Sequence, residues 1–158
     1  MAELDFTGLN VLVVGDAMTD EFVYCDFVKC SPEADCDVVN VVRRVVSPGG
    51  AANVARCIEA LGARATLLSG EGSVKKTRFV VGSRQLVRVD EEGQLCTTSG
   101  FVERVLPQLR DKQVVVISDY AKGFITDDFM RQIVAECTKR GIPCVVDPKR
   151  DPKHCHGA

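Results

Sequence analysis

Four short apolar runs, "NVLVVGD" (10–16), "ATLLSG" (65–70), "VVVISD" (114–119) and "PCVVDP" (143–148), constrain this chain more than any other feature. Each is too short for a helix and too continuously apolar for a strand with one wet face, so each predicts a buried strand. The stretches between them repeat their apolar residues at helical spacing. Residues 51–61 set Val54, Ile58 and Leu61 on one face, and Gly62 follows as a stop. Residues 100–110 align Val102, Val105, Leu106 and Leu109. Residues 127–140 align Phe129, Ile133, Val134 and Cys137, with Thr126 as N-cap and Gly141 as the end. Strands alternating with helices predict an α/β fold: a doubly wound, mostly parallel sheet covered on both faces.

Two regions interrupt that alternation. "FVYCDFV" and "DVVNVVRRVV" flank the polar turn "SPEADCD" and predict a small β lid over residues 22–46. "RFVVGSRQLVRVDEEG" (78–93) predicts two further strands around a Gly82–Ser83 turn. The chain shows no internal repeat and no low-complexity linker. Its 158 residues suffice for one domain, 1–158, with a core.

The net charge of −2 gives no electrostatic reason to expect nucleic acid or an anionic membrane. No run of 18 apolar residues predicts a membrane span, and the acidic start "MAELDF" does not suit a signal peptide, so the expected location is cytoplasmic. Eight cysteines occur without a C-x-x-C pair, which predicts free thiols rather than a disulfide framework. The tail "KHCHGA" brings His154, Cys155 and His156 together, but adjacent residues do not close a tetrahedral site, and no metal site is expected there.

Three of the predicted strands end in aspartate: Asp16, Asp119 and Asp147. Ligands of open α/β sheets bind outside the carboxyl ends of the strands. An Asp at such a place also caps the following turn, which explains any one of them taken singly. Each has polar company: Asp20 a turn after Asp16, Tyr120 and Lys122 after Asp119, Lys149 and Arg150 after Asp147. Acceptors for hydroxyls beside cations for a phosphate suit a phosphorylated polyol, with Arg150 equally explained as a solubilising surface charge.

In "SPGGAANVARCIEALGA" (47–63), Gly49 and Gly50 precede the first helix. Glycines there permit close backbone approach, and the helix start offers unpaired N–H groups, with the Asn53 amide in its first turn. The stretch lacks G-x-G-x-x-G spacing, which speaks against a dinucleotide-binding oxidoreductase, and no G-x-x-x-x-G-K-[ST] loop occurs.

In order, "VLVVGDAMTDEFVYCD", "SPEADCDVVNV", "SPGGAANVARCIEALGA", "RQLVRVDEE", "VVVISDYAKG" and "GIPCVVDPKRD" resemble the ribokinase-like, PfkB-type carbohydrate kinases, and most of all their heptose-7-phosphate kinase branch in ADP-heptose synthesis. The resemblance covers most of residues 10–152. It implies transfer of the ATP γ-phosphoryl group to a sugar-phosphate hydroxyl with Mg²⁺. It implies that Asp16 and Asp20 contact sugar hydroxyls, that Gly49, Gly50 and Asn53 form the substrate-binding turn, and that Lys122 and Lys149 face phosphate; Asp119 joins this substrate-binding set from its place at a strand end. It implies a lid that pairs two subunits, so a homodimer or association with another chain is expected. Relatives insert a helix and a strand between the equivalents of Gly70 and Lys75, and carry a glycine-rich loop with a catalytic aspartate and the ATP-binding elements beyond the position of Ala158. The acceptor side is therefore expected here without the C-terminal donor side, and no catalytic base is assigned. The alternative function is an inactive protein that binds a sugar phosphate or dimerises.

Overall fold

The computed structural model describes residues 5–93, 95 and 100–158, His154 by its backbone alone. Cys96 lies outside the described residues. The apolar runs form four strands close to the expected bounds: β1 (Asn10–Gly15), β4 (Arg64–Leu68), β7 (Val114–Ser118) and β8 (Cys144–Asp147). They pair in parallel in the order β4-β1-β7-β8. The helices are α1 (Ala51–Ala60), α2 (Phe101–Gln108) and α3 (Asp127–Arg140).

Alternation along β1 explains why both faces need cover. Leu12 and Val14 pack with Val115 and Ile117 beneath α2 and α3, through Phe101, Val105, Phe129, Met130 and Ile133. Val11 and Val13 point the other way, onto Ala51 and Ala55 of α1. Phe101, Phe124 and Phe129 form an aromatic triangle under the α2–α3 layer, with Phe101 edge-on to Phe124 at 4.6 Å between centroids. Helix α3 starts as its sequence predicts: the Phe129 N–H donates to Thr126 Oγ1 at 3.1 Å.

The irregular regions build a second sheet of four strands: β2 (Ala17–Cys30), β3 (Asp37–Gly50), β5 (Val74–Val81) and β6 (Arg84–Glu92). Their order is β3-β2-β5-β6, antiparallel except for the parallel β2–β5 pair. This sheet is larger than the two-stranded element expected at 22–46. It absorbs the 78–93 pair, and β2 and β3 run to its junction with the first sheet at Ala17 and Gly50. The alternation was readable within each strand; the parallel pairing of β2 with β5, across some 50 residues of chain, was not.

The two faces of the second sheet differ in chemistry. One carries Asp20, Phe22, Tyr24, Lys76, Arg78, Arg88 and Asp90. The other carries Val23 and Cys25, both buried, with Phe79, and at its margins Val41, Val46, Val87 and Val89, which are 45–63% exposed. In the middle of this apolar face lies one buried carboxylate, Glu21. It accepts from Thr77 Oγ1 at 3.1 Å and pairs with Lys75 at 2.7 Å and Arg44 at 3.2 Å. The Lys75 hydrogen bond, aided by Arg44 and Thr77, holds the Glu21 carboxyl below its ordinary range against the opposing effect of burial.

A lowered native-state pKa stabilises the fold above the unfolded-state value, and that contribution disappears as pH falls through the native value. Glu21→Gln is therefore expected to flatten the acid side of the stability profile, between about pH 5 and pH 3. Denaturant unfolding at stepped pH measures this; a profile as steep as that of the parent would reject the assignment.

Candidate functional site

The C-terminal ends of β1 and β7, the start of α1 and the polar face of the second sheet meet at Asp16. Its side chain is fully buried. Oδ2 accepts the backbone N–H groups of Tyr120 at 2.7 Å and Lys122 at 3.2 Å. Oδ1 has no hydrogen-bond partner among the described residues, nor has the neighbouring buried hydroxyl of Ser118. A buried carboxylate oxygen without a donor loses solvation that something else must restore.

The glycine pair is explained by this junction. Gly50 caps α1 at φ 55°, a left-handed backbone that glycine adopts without a Cβ penalty. A Cβ on Gly50 would run into the Asp16 carbonyl oxygen, and one on Gly49 would run into the Asp20 carboxylate. The Ala51 N–H donates to the Asp16 carbonyl at 3.0 Å, and no side chain caps the helix. The remaining first-turn N–H groups of α1 have no intrahelical acceptor. Asn53 sits on this turn half-buried, its Oδ1 accepting from Arg56 at 2.9 Å.

Asp20 lies on the polar face, paired with Arg78 at 2.5 Å, and the Arg78 guanidinium rests 5.1 Å from the centre of the Phe22 ring. The same face continues through Lys76, which pairs with Asp90 at 2.8 Å and Glu92 at 3.5 Å. Glu92 also pairs with Lys122. That pair holds the Glu92 carboxyl below its ordinary range and straps loop 119–123 to β6. Between Glu92, Gly93, Ala121, Lys122 and Gly123 lies an open pocket of about 270 Å³.

Asp119 is differently employed. Its side chain is buried, Oδ1 accepts from the Ala121 N–H at 2.9 Å, and Oδ2 is paired with Arg150 Nε at 2.6 Å. Arg150 also reaches Asp127 at 3.0 Å. These carboxylates, the first cause being the Asp119 hydrogen bond, raise the Arg150 pKa further. Arg150, readable as a surface charge in the sequence, is an internal counterion that fixes the loop start to the first turn of α3. Ala121, at φ 56°, is strained in that loop and held by these bonds. Lys149 is exposed and makes no ion pair among the described residues.

The structure therefore gathers Asp16, Asp20, Gly49, Gly50, Asn53 and Lys122 at one junction and commits Asp119 to Arg150, while Lys149 is exposed. It adds Lys76, Arg78 and Arg88, which the sequence did not single out; their even spacing on strands that share a face with Asp20 is the signal that could have found them. Among the described residues no three His, Cys, Asp or Glu side chains are placed to hold a metal ion, and no helix is long and apolar enough to cross a membrane. Asp119 is committed to Arg150, and Asp16 offers a single oxygen without a partner, so the described strand-end carboxylates do not gather the several oxygens that Mg²⁺ takes, and no step is derived through it.

Removing Arg150 would leave the Asp119 charge buried and unpaired. Arg150→Met is expected to cost about 3 kcal/mol in denaturant unfolding. A loss under about 0.5 kcal/mol, the scale of an ordinary surface substitution, would show that Asp119 does not depend on it.

No protein-family model matches the chain. It is 36% identical over 97% of its length to "Bifunctional protein HldE" of Caulobacter sp. strain K31, 37% over 91% to that of Nitrobacter winogradskyi, and 34% over 89% to that of Geobacter metallireducens. It spans 38%, 37% and 36% of those proteins, respectively. Among solved structures it is similar to phosphofructokinase-2 from Escherichia coli in complex with fructose-6-phosphate, with TM-score 0.64 and 19% identity over 90% of this chain and 55% of that one. It is also similar to Arabidopsis thaliana ribokinase complexed with ribose and ATP, with TM-score 0.54 and 17% identity over 94% of this chain and 57% of that one.

Proposed function

The chain belongs to the ribokinase-like, PfkB-type carbohydrate kinases over the part of the HldE proteins that it matches, and from that premise we propose that it binds a sugar phosphate, a heptose 7-phosphate, as the phosphoryl acceptor of an ATP-dependent kinase reaction. The observation that carries this reading is the buried, donorless Oδ1 of Asp16 at the uncapped start of α1. A sugar hydroxyl supplies the missing donor to that oxygen, and its lone pairs accept the first-turn N–H groups of α1. Asp20 accepts a second hydroxyl across the Gly49 notch. A donor nucleotide, when bound, would supply the γ-phosphoryl group, its bond to ADP breaking as the bond to the sugar oxygen forms and the hydroxyl proton passing to solvent. These residues bind and orient the acceptor and exclude water from it, the part that positioning plays in phosphoryl transfer. We assign no catalytic base or Mg²⁺ ligand here. An ATP-dependent reaction and the free thiols Cys25, Cys30, Cys36, Cys57, Cys137, Cys144 and Cys155 suit a cytoplasmic setting.

Heptose 7-phosphate at 100 times its Kd is expected to stabilise the native chain by about 2.7 kcal/mol, a rise of several degrees in Tm. Asp16→Asn, which makes the orphan oxygen's group neutral, is expected to weaken that binding at least tenfold. No stabilisation of the parent chain by the sugar phosphate would overturn the reading.

The apolar face of the second sheet favours a second copy as partner. Val46 and Val89 flank the Glu21–Thr77 row, and a two-fold arrangement would bury both margins against the same face of another chain. Sedimentation is expected to give a dimer that Val46→Glu converts to monomer. A parent chain that is monomeric at tens of micromolar would reject the pairing.

A further inference from the structure

Three of the free thiols gather on the face of the first sheet that α2 and α3 cover, outside the candidate site. Cys137 of α3 is fully buried in that core. Cys144, which opens β8, and Cys155, in the short turn Pro152–Cys155, pack half-buried against the same cluster. Packing asks only for a small apolar side chain at each of these positions, so it does not by itself explain sulfur at all three.

Local backbone rules bring Cys137 and Cys144 together. Helix α3 ends at Gly141, at φ 67°, the left-handed backbone that turns the chain back on the helix. The Ile142 N–H donates to the Cys137 carbonyl at 2.9 Å, and the Pro143 carbonyl accepts from the Val115 N–H at 3.0 Å. Those two bonds fix the entry into β8, where Cys144 pairs with Val115 over the buried core. The Cys144 thiol, donating toward Cys137, draws the Cys137 pKa below its ordinary value, and the same contact, with burial, pushes Cys144 up. A thiol held against a second thiol has its reaction partner already in place. The chain end packs along α3 beside them, so close that a Cβ on Gly157 would meet Thr138 and Val134.

We propose that Cys137 and Cys144 are a redox modification site, an intramolecular disulfide that a small-molecule disulfide of the glutathione type installs and that free thiols remove. This is independent of the acceptor reading. Cys144, the half-buried member, meets the reagent first: its thiolate attacks one sulfur of glutathione disulfide, and one glutathione leaves. The Cys137 thiolate then attacks the Cys144 sulfur, the bond to the second glutathione breaks, and the Cys137–Cys144 bond forms. The two cysteines are oxidised, one glutathione disulfide is reduced, and the two thiol protons end on the glutathiones released. Under a reducing poise the pair stays open, so the bond marks oxidation and is no permanent staple. The consequence reaches the loop on Asp16. Helix α3 and strand β8 clamp Asp119 at their other ends, through Arg150 bound to Asp127 at 3.0 Å and through the Asp147 carbonyl, which accepts the Asp119 N–H at 3.0 Å. The disulfide fastens the near ends of the same two elements.

The full chain is equilibrated in glutathione buffers of stepped ratio, its remaining thiols are alkylated, and it is digested with trypsin without reductant. Cleavage after Arg131, Lys139, Arg140 and Lys149 puts Cys137 in peptide 132–139, Cys144 in 141–149, and Cys155 in 154–158. The expected product links 132–139 to 141–149, disappears with dithiothreitol, and raises the Tm of the oxidised chain by several degrees. It is expected to be absent from Cys144→Ala and Cys137→Ala and retained in Cys57→Ser, whose thiol is exposed on α1. Cys144→Ala carries the comparison if Cys137→Ala fails to fold, because Cys144 is only half-buried. The native pair is expected to be half oxidised at a glutathione ratio at least tenfold more reducing than the same pair in the chain unfolded by urea. An equal ratio in the two states, a link from 141–149 to 154–158 in its place, or no linked peptide while the exposed thiols take up glutathione, each overturns the proposal.

Discussion

The carboxylate of Asp16 organises this molecule. It sits where the first sheet ends and the second begins, and it accepts two backbone amides from a loop more than a hundred residues later in the chain. A carboxylate in so dry a place is stable only if its oxygens are served. One oxygen is served by the fold, which brings Tyr120 and Lys122 to it and so fixes the loop. The other has no hydrogen-bond partner among the described residues. Ala121 in its strained conformation, the Arg150 counterion beneath Asp119 and the strap from Lys122 to Glu92 follow from keeping that loop on Asp16.

The second sheet translates the same requirement into two faces of opposite character. Its polar face extends the site with charge pairs in rows, and its apolar face keeps one buried acid, Glu21, under three donors. Strict alternation along β2 and β5 produces both at once: Asp20, Phe22 and Arg78 face one side, Glu21, Val23 and Thr77 the other. A one-residue slip in register would exchange them, placing charge among valines and valines at the site.

The sequence made the first sheet legible because its signals are local. Continuous apolar runs, the Thr126 cap and the Gly141 stop each act within a few residues, and the structure follows them to within one or two positions. The junction residues Asp16, Gly49 and Gly50 were legible for the same reason: an Asp ending a strand and a glycine pair opening a helix are both local marks. What was not legible was long-range. Arg150 reads as a surface cation until the fold carries it to Asp119, 31 residues away, and there it turns a carboxylate expected to meet ligand into half of an internal ion pair. Lys76, Arg78 and Arg88 were passed over because a charge on a half-buried strand has no meaning until its face is known, and that depends on the parallel pairing of β2 with β5.

The path of the chain has its own consequence. It leaves the first sheet after β1, returns for α1 and β4, leaves again for β5 and β6, and returns for α2 and β7. Each excursion contributes two strands, and the strands that pair in parallel, β2 and β5, come from different excursions. The second sheet is thus no appendage that folds or is lost by itself. Its central ladder joins Thr19–Cys25 to Lys75–Val81, so closing it requires loops of tens of residues, which is slow by the measure of topology. A cut at 69–73 would therefore divide both sheets alike, because β7 and β8 lie beyond it as β5 and β6 do, and it would leave β1 and β2 each with an open edge.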